Sequence, residues 1–344
     1  MLQRQKEWIV VSGRLAARVG RYRSHLAWAA SLIASVLLIY WLLSGFNLGR
    51  FTRLLTGSYP PAIALLFIVI LAGQWLRAWK WRLVLNAPTR SIDHFLATMA
   101  GYLPGVTIGL GSSVLARAWI IAQKYHLRTA TVIGSVVADR LIDAAVFAAI
   151  ALAALFLPMP PGLSETGDTA VVTTILVIIT GIVLFGAGVW TWRTRYFDGQ
   201  LGKRLSTLIP ARIRTWISRH GDTLSGGLTW PAAAGRRTLI MFIAVAVKMI
   251  AISEMLWAGW AVGVWLPPGD YPLIMVLLGS LVFLGFFMRV PGSSLLTGIF
   301  ILTLFGISRE QAAAMMLLAQ GDFLLITVLF GGLGWWMTRW RDPR

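Results

Sequence analysis

Three charged side chains interrupt the apolar run SVVADRLIDAAVF, and they are the first candidates for chemistry in this chain. In a helix Asp139 and Asp143 share a face, whereas Arg140 and Asp143 are close enough to form an ion pair. Charges at membrane depth are costly, so these side chains should point inward or lie near the cytoplasmic end. Two interpretations fit the residues. They form a site for a polar headgroup or a proton, or they form an internal ion pair that holds this helix against its neighbour.

A second charged pair lies in the apolar run IMFIAVAVKMIAISEMLWAGW. Lys248 and Glu254 are about 120° apart around a helix, so each needs a partner from another segment. Asp322, in the last apolar run, is a candidate partner for Lys248. The pair could serve ion coupling or contact a substrate phosphate, or it could hold helices together.

Two arginines lie close to Pro-Gly pairs. Arg117 follows Pro104-Gly105, and Arg289 comes just before Pro291-Gly292. Because guanidinium keeps its charge and binds phosphate through two parallel hydrogen bonds, both are candidates for contact with an anionic group. For Arg117 the alternative is a cytoplasmic charge that only sets the orientation of the chain.

Several other kinds of chemistry are not expected. The chain has no cysteine and only four histidines, which are scattered along it, so we expect no metal site. The patterns GxxxxGK[ST], HExxH and GxSxG are absent, which argues against those routes of nucleotide or peptide and ester hydrolysis. We therefore expect no cofactor and no enzymatic activity.

The composition is that of a membrane protein. Hydrophobic residues make up 57% of the 344 residues and charged residues only 13%, and the mean hydropathy is +0.73. A soluble domain of this size would lack polar residues to cover its surface. The net charge of +18 is explained by basic loops that contact anionic headgroups, so the expected partners are membrane lipids and not nucleic acid.

The apolar runs predict an all-α polytopic membrane protein with six full spans, each long enough to cross about 30 Å of hydrocarbon. These spans are predicted near residues 27–46, 61–79, 130–157, 170–192, 238–266 and 312–338.

Loop charges predict the orientation. Basic segments are expected in the cytoplasm, and the loops 158–169 and 267–272, which carry acidic but no basic residues, are expected outside. The basic segments are the arm 1–26, the residues Arg77, Lys80, Arg82 and Arg90 after the second span, the loop 193–237 and the tail 339–344. This places the protein in the cytoplasmic (inner) membrane with both termini in the cytoplasm.

Two apolar stretches, near residues 94–116 and 273–305, contain Pro and Gly and have both ends on one side. They are predicted to be re-entrant hairpins that turn at Pro104-Gly105 and Pro291-Gly292, since proline stops a helix and glycine permits a reversal. The order of two spans, a hairpin and a span then occurs twice, in residues 27–157 and 158–338, with opposite orientation. This predicts an inverted repeat, in which a substrate site lies between the halves. Eight ordinary spans fit the charges equally well.

Several motifs resemble the transmembrane region of lysylphosphatidylglycerol synthases and its stand-alone relatives. They are RAWKWRLVL, LPG…LARAWIIAQ, ATVIGSVVADRLIDAAVF and VPGSS…LFGISREQAAAMMLLAQGD. The resemblance implies a membrane region that moves a lipid between leaflets, whereas aminoacyl transfer belongs to a separate soluble domain. Since the sequence stops at Arg344, directly after the last span, synthase activity is not expected.

Departures from that family's pattern affect the expected substrate. Where the family carries acidic residues beside each hairpin, this chain has Gly111-Ser112-Ser113 and Thr297-Gly298. Fewer acids favour an anionic headgroup over a cationic lysyl-lipid, and polyprenyl-lipid or glycolipid substrates are further options that the resemblance implies.

The sequence therefore predicts a lipid transporter or flippase. Two alternatives are left open: an accessory scaffold subunit that docks a lipid-modifying enzyme on the 193–237 loop, and a membrane-embedded transferase that acts on a lipid carrier.

Overall fold

The computed structural model describes residues 37, 40, 44–107, 110–154, 156, 233–287 and 293–339, and within these the regular structure is helical throughout. The helices with assigned bounds are α1 (Leu48–Thr56), α2 (Pro60–Leu85), α3 (Ser91–Thr107), α4 (Leu110–Lys124), α5 (Thr129–Ala154), α6 (Ala234–Ala261), α7 (Asp270–Phe287), α8 (Ser293–Leu304) and α9 (Arg309–Arg339).

Four long helices coincide with predicted spans, and three of them have the length and apolar composition of a membrane span. Helices α2, α5, α6 and α9 contain 26, 26, 28 and 31 residues, and each overlaps a run predicted to cross the membrane. By length and composition α2, α6 and residues 309–336 of α9 are apolar enough to do so. Helix α5 is as long as α2 but carries Asp139, Arg140 and Asp143. The predicted spans 27–46 and 170–192 lie almost entirely outside the described residues, as does the loop 193–237 apart from its last residues.

Helix α2 extends further than the sequence indicated. It begins at Pro60-Pro61, where the backbone N–H groups that proline lacks would have no partner within the helix. It ends before Asn86, whose φ of 53° is left-handed. Three residues that the loop charges assigned to a cytoplasmic loop therefore lie inside the helix: Arg77, Lys80 and Arg82. That assignment was wrong.

The first hairpin consists of α3 and α4, which have 17 and 15 residues and are therefore only about 25 and 22 Å long. Its turn was predicted at Pro104-Gly105, and this prediction was wrong, because α3 continues through Pro104 to Thr107. Proline cannot donate to the carbonyl four residues earlier, which belongs to Ala100. The indole N–H of Trp335 on α9 donates to that carbonyl instead, at 2.9 Å.

Helix α4 closes back on α3 along its length. The Ser112 hydroxyl donates to the Pro104 carbonyl at 2.9 Å. Gly101 allows the approach, since a Cβ there would lie 2.9 Å from the Ser113 carbonyl oxygen. The two helices therefore form a tight helical hairpin.

The second hairpin consists of α7 and α8, with 18 and 12 residues. Helix α7 ends at Phe287 and α8 begins at Ser293. Pro291-Gly292, the predicted turn, and Arg289 lie between these bounds and outside the described residues.

The two halves of the described chain pack in the same pattern. In the half α2–α5, the first helix, α2, contacts α3 and α5, and the third helix, α4, contacts the same two helices. In the half α6–α9, α6 likewise contacts α7 and α9, and α8 contacts the same two helices. Between the halves, the two first helices, α2 and α6, contact each other. The second helix of each half contacts the last helix of the other, since α3 contacts α9 and α7 contacts α5. The first helix of each half also contacts the last helix of the other, since α2 contacts α9 and α6 contacts α5. Exchanging the halves thus leaves this set of contacts unchanged.

Small residues permit the closest contacts between the halves. A Cβ on Gly331 or Gly334 of α9 would lie 2.7 Å from a carbonyl oxygen of α3, that of Met99 or Leu96 respectively. Glycine on a helix face allows backbones to approach in this way. The first hairpin is thereby fixed against the last helix.

Candidate functional site

Lys80 is the centre of a buried ion pair network between α2 and α5. Its Nζ lies 3.1 Å from Asp139 Oδ1 and also donates a short hydrogen bond to Asp143 Oδ1. The side chains of Lys80 and Asp139 are both 0% exposed. The sequence correctly placed Asp139 and Asp143 on one helix face, but their shared partner is Lys80 and not Arg140.

One turn earlier on α2, Arg77 is part of a second polar group. Its Nη1 donates to Gln74 Oε1 at 3.3 Å and to the Tyr102 hydroxyl at 3.2 Å. The Tyr102 hydroxyl in turn lies 3.5 Å from Gln74 Oε1. Tyr102 comes from α3, so this group connects the first hairpin to α2.

Arg117 projects from α4 into the same region and is only 1% exposed. Its guanidinium carbon lies 5.2 Å from the ring centroid of Trp81, in the range of a cation–π contact. Its Nε and Nη2 have no hydrogen-bond partner among the described residues. Burial excludes the alternative in which Arg117 is a solvated charge of the cytoplasmic surface.

Three guanidinium groups converge near one phenol. The positive charges of Arg77, Arg117 and Arg140 all act on the Tyr102 hydroxyl, and Arg117 is repelled by both other arginines while Asp139 attracts it. Arg140 is exposed on the described surface, unlike Arg117. Three separate helices therefore bring like charges towards a tyrosine of a fourth, which is unfavourable unless negative charge lies among them.

Helix α6 contributes the predicted residues of the second half. Lys248 Nζ lies 5.4 Å from the ring centroid of Phe147, and the opposite charge that acts on it is that of Asp143. Asp322 is not among the charges that act on Lys248, and the described ion pairs do not include the two. The predicted pairing of Lys248 with Asp322 was therefore wrong.

Glu254 faces α2 beside Gly73. A Cβ on Gly73 would lie 2.9 Å from Ile250 Cγ2 and 3.8 Å from Glu254 Oε1. The charge that acts on Glu254 is that of Arg77. The structure thus connects Glu254 to the arginine cluster through α2.

The structure brings six of the eight predicted site residues into one network: Arg117, Asp139, Arg140, Asp143, Lys248 and Glu254. Asp322 lies on α9 apart from them, with a buried Oδ2 that has no hydrogen-bond partner in the described chain. Arg289 cannot be placed, since it lies outside the described residues.

Sequence reasoning missed four residues of this network: Gln74, Arg77, Lys80 and Tyr102. The stretch RAWKWRLVL is dense in charge and tryptophan, so it looked like the end of a span. Gln74 was the available signal, because an amide within an apolar run needs a polar partner.

A separate polar cluster fixes the base of the first hairpin. Asp93 at the start of α3 accepts hydrogen bonds from Lys124 and from the Tyr125 hydroxyl, and that hydroxyl accepts from the backbone N–H of Arg90 at 2.9 Å. The Lys124 side chain is 23% exposed, so this pair is accessible to water. The cluster holds the two ends of the hairpin together.

The long apolar helices, the shorter apolar helices packed among them and the buried charges at their centre define an integral membrane protein. Residues 28–331 match the family described as lysylphosphatidylglycerol synthase TM region. The match covers most of the chain, and the protein belongs to this family. No curated protein and no solved structure matches the chain. Family membership supports a lipid-related function in the membrane.

Proposed function

We propose that this protein is a lipid transporter of the flippase type, which binds an anionic lipid headgroup among Arg77, Arg117, Arg140 and Tyr102 and exposes it to each leaflet in turn. The observation that carries the proposal is Arg117, whose buried guanidinium has two nitrogens without a hydrogen-bond partner in the described chain.

Burial of such a group is expensive. A charge inside a membrane normally pairs or lines a wet cavity, and it marks a substrate or ion path. Guanidinium groups bind phosphate and carboxylate oxygens through paired hydrogen bonds, so an anionic headgroup would supply the missing partners. The ligand's acyl or prenyl chains would stay in the bilayer beside the site.

The repeated packing pattern supports an inverted repeat, with α2–α5 and α6–α9 as its halves. In such transporters the substrate site lies where the halves meet, near the middle of the membrane. Lys80 and Arg77 lie on α2, and Lys248 and Glu254 lie on α6, which α2 contacts directly. The proposed headgroup residues belong to the first half, and Lys248 and Glu254 of the second half adjoin them through the contact of α2 with α6, which is consistent with a site near the boundary of the halves.

The topology we propose follows from the loop charges. Six spans cross the cytoplasmic (inner) membrane, both termini are cytoplasmic, and the two hairpins enter from opposite faces. The short helices support re-entry, since α4 and α8 have 15 and 12 residues and a full span needs about 20. No covalent step is required for this function, and we propose none.

Leaflet exchange in proteoliposomes tests the proposal. The purified full chain is reconstituted with a trace of fluorescent phosphatidylglycerol, and the fraction accessible to dithionite is followed over time. We expect protein-dependent exchange that falls at least tenfold in Arg117→Gln.

Arg53→Gln is the matched control. Arg53 is an exposed arginine on α1, far in sequence from the cluster, and its loss should leave exchange unchanged. Absence of exchange with every anionic lipid tried, or equal loss in both variants, would refute the proposed function.

A further inference from the structure

Trp81 on α2 is the largest of the fully buried side chains in the described part of the chain, with only 1% of its surface exposed. Tryptophans of membrane proteins usually lie at the interface with water, and Trp75 on the same helix is 40% exposed. Anchoring at the membrane surface therefore does not explain Trp81.

The plane of the Trp81 ring is held by two neighbouring helices. Its indole N–H donates to Ser135 Oγ on α5 at 3.0 Å. The Ser135 hydroxyl itself donates to the Val132 carbonyl at 2.7 Å, so its oxygen is turned to accept this bond. From α3 the ring of His94 packs edge-on against the indole, with the centroids 4.4 Å apart and the planes at 74°.

His94 is held in place in turn. It is fully buried, and its Nε2 lies 2.9 Å from Thr89 Oγ1. The Thr89 carbonyl accepts a hydrogen bond from Arg82 Nε at 2.7 Å. The support of the indole thus extends back to the end of α2.

This fixed ring lies against Arg117 of α4. The guanidinium carbon is 5.2 Å from the indole centroid, and such a cation–π contact is strongest where water is excluded. The ring face holds the cation without accepting a conventional hydrogen bond, and the described ion pairs do not include Arg117. Its Nε and Nη2, which form one edge of the guanidinium, are therefore left without a hydrogen-bond partner.

Lys80, the neighbour of Trp81 on α2, shows the contrast. Its ammonium group is engaged by Asp139 and Asp143, so it has less to offer a ligand. Arg117 is held by an aromatic ring instead of a carboxylate. The arrangement keeps the guanidinium in place and leaves two parallel donors for the oxygens of one phosphate.

We propose that Trp81 is a positioning residue of the anion site, which holds the Arg117 guanidinium so that Nε and Nη2 are presented to the phosphate of an anionic lipid. This inference rests on the proposed function, which supplies the ligand. An arginine side chain that is already ordered loses less conformational freedom when the ligand binds, and its affinity is higher for that reason.

The test measures binding of fluorescent phosphatidylglycerol to the purified full chain in nanodiscs of phosphatidylcholine. Trp81→Phe and Trp81→Leu both lose the hydrogen bond to Ser135, but only phenylalanine keeps an aromatic face. We expect the affinity of Trp81→Phe to stay within about threefold of the wild type and that of Trp81→Leu to fall about tenfold. Equal affinities of the two variants would overturn the inference.

A fluorinated tryptophan at position 81, inserted by stop-codon suppression, tests the ring face without changing its shape or removing its N–H. Fluorine withdraws electron density from the ring, so the affinity should fall step by step with the number of fluorines. The same substitution at Trp75 is the matched control and should have no effect. Because this series leaves the packing intact, it decides the matter even if Trp81→Leu does not fold.

The Arg117→Gln background shows whether Trp81 acts through Arg117. Fluorination at position 81 should no longer change the residual binding there, because the cation is gone. A loss of the same factor in both backgrounds would mean that Trp81 supports the fold in general, and the positioning role would be refuted.

The outcomes separate this inference from the proposed function. Phosphatidylglycerol binding that is insensitive to fluorination overturns the positioning role and leaves the anion site and the transporter in place. Binding that falls with fluorination, in a protein that exchanges no lipid between leaflets, supports the positioning role and refutes transport. Absence of both binding and exchange in the wild type refutes the proposed function and this inference together.

Discussion

Replacing Lys80 by methionine tests the buried ion pair network most directly. Methionine keeps the length of the apolar stem and removes the ammonium group, which is the shared partner of Asp139 and Asp143. Both carboxylates would then lose the ammonium group that pairs with them directly between α2 and α5. Removing one partner of a buried pair costs about 3–5 kcal/mol of the free energy of unfolding, and the loss here should fall at the upper end because two acids lose the same partner.

The free energy of unfolding is measured in mixed micelles with an increasing fraction of SDS, followed by circular dichroism. Lys124→Met is the matched control, because Lys124 also pairs with an aspartate but is 23% exposed. Exposed pairs contribute at most about 1 kcal/mol, and the Tyr125 hydroxyl still donates to Asp93 in this variant. The difference between the two variants therefore measures the effect of burial.

A triple variant shows whether uncompensated charge is the cause. Adding Asp139→Asn and Asp143→Asn to Lys80→Met removes the carboxylate charges, so most of the lost stability should return. If Lys80→Met is no less stable than Lys124→Met, or if the triple variant is as unstable as Lys80→Met alone, the explanation given for this network is wrong.

Three further substitutions test the packing. Gly331→Ala should destabilise the fold by about 1–3 kcal/mol through overpacking, because its Cβ would lie 2.7 Å from a backbone oxygen of α3. Gly332→Ala is the control and should be tolerated, because no atom lies within 4 Å of its Cβ. Equal SDS unfolding curves for the two variants would contradict this expectation. Trp335→Phe removes the indole N–H that donates to the Ala100 carbonyl of the first hairpin and should lower the free energy of unfolding by about 1–3 kcal/mol. Thermal unfolding in detergent measures this loss, with Trp336→Phe at the neighbouring exposed position as the control. Trp81→Phe loses the 3.0 Å hydrogen bond to Ser135 and should cost about 1 kcal/mol, and a Tm equal to that of the wild type would refute that contribution.

The long spans were predictable from sequence because a bilayer imposes a length and an apolar composition on each. Helices α2, α6 and α9 follow from this constraint alone. Helix α5 was predictable despite its three charges, since most of its other residues are apolar. The inverted order of the halves came from loop charges and remains a prediction.

The errors have a common origin in partners that are distant in the sequence. Pro104 was expected to end its helix, because local rules do not include a donor such as Trp335. Lys80 was assigned to a loop, because its two partners lie about sixty residues further along the chain. Arg77 was missed for the same reason, since Tyr102 and Glu254 come from other helices.

The hydrogen bond from Trp335 to Ala100 also bears on the order in which the protein is made. The two residues are 235 positions apart, so the carbonyl that Pro104 leaves without its usual donor has no such donor until α9 has been synthesised. Until α9 inserts into the membrane, the first hairpin lacks both this donor and its packing contact with Gly331 and Gly334 of α9. A nascent chain that stalls before α9 would therefore present an incomplete hairpin, and membrane quality-control proteases should recognise it even though every earlier span is already in place.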